Sequence, residues 1–167
     1  DSSVVRVQVT TADRTPAESL TNYPRITEIQ ATALTGDAAI NEDGQIYWAA
    51  VIHGTDYPIP NSGLTDDAAR ELDQKLQIMG GMYAVASGSF NANANEAASF
   101  NMRGLAEETA YDIYFVAEDD SGNLSDIEVL ENARTLDNHA PTLVDIRFSQ
   151  ANNEGVPLAN TDITLVF

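Results

Sequence analysis

The amino-acid sequence consists largely of short segments in which apolar and polar residues alternate, each closed by a turn signal. Alternation with a period of two is typical of β-strands that bury one face. About seven such segments lie between Ile26 and Thr135, at the spacing of a two-layer β-sandwich. Residues 111–118 (YDIYFVAE) give the clearest strand, and residues 45–52 (QIYWAAVI) predict a strand buried on both faces.

One segment departs from this pattern and predicts a helix. Thr65 is expected to cap its start, and Gly80 with Gly81 to close its end. A parallel sheet needs a crossover helix between most successive strands, so a single helix favours an antiparallel sandwich with one inserted helix. The apolar residues that recur at helical spacing are Leu64, Ala68, Leu72, Leu76 and Met79.

Composition excludes several classes of function. The chain has 26 acidic and 8 basic residues, for a net charge of -18. Such a surface repels phosphate backbones and anionic lipid headgroups, so we expect no nucleic-acid partner and no membrane-surface partner. The absence of cysteine excludes disulfides, thiolate zinc sites and cysteine nucleophiles. No run of about 18 apolar residues is present, so we expect no membrane insertion.

Both ends of the sequence resemble pieces of neighbouring modules. Residues 4–10 predict a strand, and the polar stretch 11–24, with two prolines, predicts a linker. Residues 137–141 predict a second linker, followed by strand patterns at 142–148 and 161–167. Such end strands cannot bury their apolar faces alone. They must pack on the central domain, pair with each other or be completed by further chain.

We therefore expect three parts. Residues 1–22 are interpreted as the end strand of a preceding module plus a linker, and residues 23–136 as the sandwich. Residues 137–167 are interpreted as a linker and the opening strands of a following module. The start at Asp1, without a basic and apolar leader, is interpreted as trimmed or internal.

Two motifs carry a family resemblance. Residues 105–115 (LAEETAYDIYF) resemble the L-x-P-x-T-x-Y-x-V-x-V motif of fibronectin type III domains, with Glu107 in place of the usual proline. Residues 117–125 (AEDDSGNLS) resemble the A-x-D-x-x-G-N-x-S hairpin of bacterial members. The resemblance implies that the hydroxyl of Tyr111 bonds to backbone a few residues upstream. It also implies structural roles for Leu105, Thr109, Ile113 and Phe115.

The resemblance extends to other segments. Residues 44–48 (GQIYW) are similar to the third-strand start of bacterial members, where a helix often follows, and Trp48 is expected to be structural. Residues 155–167 (GVPLANTDITLVF) resemble the opening of bacterial Ig-like repeats. The resemblance implies an all-β fold, an Ig-like or fibronectin type III-like antiparallel sandwich with one inserted helix. It also implies an extracellular or cell-surface bacterial protein.

Candidate sites are few. His53 and His139 are the only imidazoles, and neither lies in a triad motif, so we expect no enzyme. Calcium is the one candidate cofactor, because hard oxygen ligands suit it and linkers between extracellular modules use it. Ordinary turn roles are the alternative for the candidate ligands. These ligands are Asp119, Asp120, Asp137 and Asn138.

We expect a non-catalytic structural or adhesive module whose partners are neighbouring modules of the same chain, another protein or a glycan. The alternative is an accessory module of a secreted polysaccharide-degrading enzyme, with aromatic residues as a sugar-binding face. Core packing is the competing interpretation for these aromatics. They are Trp48, Tyr47, Tyr57, Tyr83 and Tyr114.

Overall fold

A computed structural model describes residues 11–149 and 162–166. The chain divides into two compact units, Asp1–Asp137 and Asn138–Phe167. The predicted strand at residues 4–10 lies outside the described residues, as does most of the predicted Ig-like motif at residues 155–167.

The described part of the first unit contains seven strands and one helix. The strands form a three-stranded sheet in the order β1-β2-β5 and a four-stranded sheet in the order β4-β3-β6-β7. Every pairing is antiparallel, which confirms the predicted all-β antiparallel sandwich with one helix. The elements are β1 Arg25–Ile29, β2 Ala33–Ala38, β3 Gly44–Ile52, α1 Asp67–Met79, β4 Ala86–Ala92, β5 Ala98–Arg103, β6 Ala110–Asp119 and β7 Glu128–Arg134.

The four-stranded sheet is covered on both faces. In β3, Ile46, Trp48 and Ala50 join the main core with residues of the three-stranded sheet. The alternate residues Ala49 and Val51 belong to a second cluster that includes residues of α1. Because α1 covers the outer face, β3 is apolar at successive positions, as its sequence predicts.

The helix begins one residue later than predicted. Asp66 is its N-cap, and its carboxylate accepts a hydrogen bond from the Ala69 amide at 2.9 Å. The prediction of Thr65 as the cap is therefore wrong, because the extended residue before the first turn is Asp66. The helix ends at Met79, and Gly80 is its C-cap, as predicted. Gly81 and Tyr83 then have positive φ values of 61° and 63°, and β4 does not start until Ala86.

The predicted linker at residues 11–24 is partly wrong, because its second half belongs to the sandwich. Ala17 is buried in the main core. Ser19 forms an isolated antiparallel bridge with Ile40, and the Leu20 amide donates to the Ala39 carbonyl at 2.9 Å. The polar composition of this stretch concealed a short edge segment that pairs beside the end of β2.

The second unit contains an antiparallel hairpin of β8 Asp145–Phe148 and β9 Ile163–Val166. Ile146 pairs with Leu165, and both are about half exposed. Among the described residues, none of the helices has the length and apolar character required to cross a membrane.

Candidate functional site

The crossover from β5 to β6 is held by Tyr111. The Tyr111 side chain is buried, and its hydroxyl accepts a hydrogen bond from the Ala106 amide at 2.8 Å. Leu105, Ile113 and Phe115 are buried in the main core. These four positions therefore act as scaffold, and the crossover is fixed by a contact of the kind that the resemblance implies for Tyr111.

A second polar side chain, which sequence reasoning missed, holds the same crossover. Thr135 is buried, and its hydroxyl lies 2.7 Å from the Ala106 carbonyl, to which it donates. The same oxygen accepts a hydrogen bond from the Thr109 amide at 3.0 Å. The Thr109 hydroxyl donates to the Glu107 carbonyl at 2.7 Å. A single threonine after a strand has no distinctive pattern, so only the fold reveals its role.

The aromatic residues proposed as a sugar-binding face do not lie on one surface. Trp48 is 6% exposed and packs near Phe100, with ring centroids 6.4 Å apart. Tyr57 is buried edge-on against Tyr114 at 5.0 Å, and this burial raises the pKa of Tyr57 to about 12. Of the five aromatics, only Tyr83 is strongly exposed, at 74%. Trp48 is therefore a core residue, as expected.

The predicted calcium ligands do not come together as expected. Asp119 ends β6, whereas Asp137 follows β7, whose residue Arg134 pairs with Ala110 at the opposite end of β6. Asn138 falls in the second unit. Because β6 and β7 are antiparallel, they place Asp119 and Asp137 a strand length apart, so the grouping of these two residues in one calcium site is wrong.

Asp119 organises its own turn. Its Oδ1 accepts hydrogen bonds from the Ser121 and Asn123 amides, both at 2.8 Å, and its Oδ2 accepts one from the Asn123 side chain at 2.7 Å. The bond from the Asn123 side chain is the main reason that the pKa of Asp119 lies below its ordinary value. Gly122 supplies the positive φ of 84° that the turn requires.

Two further carboxylates, which the sequence did not single out, lie beside Asp119. The ligating oxygens of Asp13, Glu42 and Asp119 are all within 4.8 Å of one another. Partial desolvation, followed by the charges of Asp13, Asp119 and Glu18, raises the pKa of Glu42. An open acidic depression of about 500 Å³ adjoins them, lined in part by Asp43 and Asp120. This end of the sandwich concentrates negative charge.

A buried carboxylate ties three strands together at the other end. Asp112 on β6 lies 2.7 Å from His53 Nδ1, just beyond β3, and accepts hydrogen bonds from the amides of Gly54 at 3.3 Å and Asn132 at 2.9 Å. Burial by itself raises the pKa of Asp112, but these bonds together hold it below its ordinary value. The His53 side chain is half exposed at the end of β3. Through these hydrogen bonds, Asp112 connects β6 to the end of β3 and to β7.

Comparisons with protein-family models, with curated proteins and with solved structures found no match to this chain.

Proposed function

We propose that this chain is a non-catalytic structural or adhesive part of a tandem-domain bacterial extracellular protein. Its first unit would be a fibronectin type III-like module, and the hairpin at Asp145–Phe148 and Ile163–Val166 would open a following Ig-like module. The observation that carries the proposal is the hydrogen bond from the Ala106 amide to the Tyr111 hydroxyl in the crossover between the two sheets. That contact supports a scaffold of this type.

The absence of an assembled catalytic group in the described part of the chain fits this proposal. Asp112, which forms the most base-like pair with His53, accepts hydrogen bonds from the Gly54 amide beyond β3 and from the Asn132 amide within β7. Asp119 is engaged within its own turn. Asp112 and Asp119 thus have structural partners, and no role in catalysis is needed to explain their lowered pKa values.

Surface labelling of the source cells tests the location. An antiserum raised against the purified chain should label intact cells, and protease added outside should remove the label. Labelling only after permeabilisation would contradict the proposal.

The sequence flanking this stretch in the intact protein is the second test. Further β-sandwich modules on either side are expected, and a mature protein bounded by Asp1 and Phe167 would count against a tandem array.

A second candidate, a carbohydrate-binding accessory module, depends on Tyr83. Its exposed ring lines a groove of about 240 Å³ with Ile59 and Met82. Trp48→Ala is not a suitable test, because Trp48 is in the core. Retardation of the chain in gels containing soluble polysaccharides, lost in Tyr83→Ala and kept in Tyr23→Ala, would favour this candidate. No retardation in the unaltered chain would remove it.

A further inference from the structure

Helix α1 presents its leucines outward. A periodic apolar stripe on a surface helix normally packs on the core. Here Leu72 and Leu76, one turn apart, are 49% and 48% exposed. Lys75 and Gln77, in contrast, are only 8% and 5% exposed. The helix therefore buries polar side chains and leaves much of its apolar stripe in solvent.

Specific contacts fix this orientation. The Gln77 side chain donates to the Ile59 carbonyl and accepts from the Ile59 amide, each at 2.9 Å. The Tyr57 hydroxyl donates to the Gln77 carbonyl at 3.2 Å. Ile78 is fully buried against the outer face of the four-stranded sheet, in a cluster with Val116. Turning the helix to bury its leucines would break the hydrogen bonds and expose Ile78, so the exposed leucines are held in place.

Grooves lie on both sides of the exposed leucines. One, of about 370 Å³, runs between α1 and the β6–β7 turn and is lined by Ala68, Leu72 and Leu124. The other, of about 240 Å³, lies beside the later half of α1, where Met82 and Tyr83 line it. We call Leu72, Leu76, Met82 and Tyr83 the α1 face. All four are more than two-fifths exposed.

The charge around the α1 face is negative. Carboxylates lie along α1 and on the neighbouring β6–β7 turn, whereas the two basic residues of α1 are already paired. Arg70 is paired with Asp67, and Lys75 lies 2.6 Å from Glu71. Because the whole chain carries a net charge of -18, a second copy or an anionic lipid surface would be repelled. Asp73 on α1 accepts a hydrogen bond from the uncharged Gln77 side chain at 2.9 Å. Asp126, exposed on the neighbouring turn, lies 3.9 Å from Lys75, so that this one lysine faces two carboxylates.

We propose that the α1 face is a docking surface for a cationic amphipathic segment of another protein. Apolar side chains of that segment would cover Leu72 and Leu76 and enter the two grooves, and its lysines or arginines would face the surrounding carboxylates. This inference goes beyond the proposed scaffold role, which stands whether or not such a segment binds.

The test measures fluorescence anisotropy of a labelled peptide titrated with the full chain. The probe is an amphipathic helix of about 18 Leu and Lys residues, long enough to span α1. A scrambled peptide of the same composition and a Leu/Glu peptide with the same apolar face serve as comparison probes. Leu72→Ser with Leu76→Ser retains every charge, and Ile29→Ser, at 43% exposure in the other sheet, is the matched control. Circular dichroism verifies that each variant is folded.

We expect the amphipathic Leu/Lys peptide to bind, with affinity that falls as salt is added. The double serine variant should bind at least about tenfold more weakly, and Ile29→Ser should bind like the unaltered chain. Three results would overturn the proposal: no binding, equal binding of the scrambled or Leu/Glu peptide, or an equal loss in Ile29→Ser. Dimerisation of the chain abolished by the double variant would assign the face to a second copy instead, and so would also overturn it.

Discussion

The backbone amide of Ala106 donates a hydrogen bond to the hydroxyl of Tyr111 over 2.8 Å. Ala106 lies in the crossover that leaves β5 in one sheet, and Tyr111 is the second residue of β6 in the other. The bond therefore fixes the path of the chain between the two layers. A buried tyrosine is suited to this task, because its ring packs in the core while its hydroxyl accepts a hydrogen bond from the backbone of the loop.

Tyr111→Phe should lower the free energy of unfolding by about 1–2 kcal/mol. The substitution keeps the buried ring and removes only the hydroxyl, which leaves the Ala106 amide without its partner. Urea denaturation followed by tryptophan fluorescence measures the change, with the slope of the transition unaltered. Tyr83→Phe is the control, because that ring is 74% exposed. Equal stability of the two variants would show that the crossover does not depend on this bond.

Thr135→Val should cost about 1–3 kcal/mol, although the two side chains have nearly the same shape. Valine can neither donate to the Ala106 carbonyl nor accept from the Thr109 amide. Because Thr135 and Tyr111 both form hydrogen bonds with the Ala106 backbone, the double variant should show coupling between the two sites. Thr55→Val, at an exposed loop position, is the control. Strictly additive losses would argue against a shared role in the crossover.

The strands of the sandwich are predictable because each has its own local pattern. The successive apolar residues of β3 indicated burial on both faces, and the structure places α1 on one side and the second sheet on the other. The orientation of α1 was not predictable from its apolar stripe. It depends on the hydrogen bonds of Gln77 to Ile59, two residues that are 18 positions apart.

The polar clusters were the least predictable features. Asp13, Glu42 and Asp119 are far apart in sequence and come together only because of the sheet order. The same holds for Asp112 and His53, which are 59 positions apart. The acidic composition supplied many carboxylates but did not indicate which of them would be neighbours. The predicted grouping of Asp119 with Asp137 relied on their positions in a turn and in a linker, and it is wrong.

Gly88→Ala should destabilise the sandwich by about 1–3 kcal/mol. Gly88 on β4 pairs with Trp48 on β3, and a Cβ at this position would lie 2.8 Å from the indole ring. Trp48 cannot move freely, because Phe100 lies on the core side. Thermal unfolding measures the loss, and Gly63→Ala, whose Cβ would meet only an Asn61 side-chain oxygen at 3.3 Å, is the control. Equal melting temperatures would mean that the ring can shift without strain.

Asp112→Asn should lower stability at pH 7 by about 1–3 kcal/mol, because the carboxylate accepts three hydrogen bonds. The folded pKa lies below the ordinary value of 3.8. The folded state therefore binds fewer protons than the unfolded chain, and the contribution is lost as the pH falls below 3.8 through the folded value. The difference between the urea midpoints of the variant and the unaltered chain should therefore be larger at pH 7 than at pH 2.5. A constant difference at both pH values would contradict this account. Asp56→Asn, in an exposed loop, is the control.

Glu42→Gln should raise the melting temperature at neutral pH. Partial desolvation and the nearby carboxylates of Asp13 and Asp119 raise the pKa of Glu42 above its ordinary value of 4.5. The folded state therefore holds this proton more tightly than the unfolded chain, and the ionised group opposes folding above its folded pKa. Glutamine removes that penalty, so the gain should be present at pH 7, shrink in added salt and disappear at pH 4. Glu131→Gln, an exposed residue of β7 outside this cluster, makes the same change in net charge. If Glu131→Gln raised the melting temperature as much as Glu42→Gln, the gain would come from the lower net negative charge of the chain and not from relief of repulsion at Glu42.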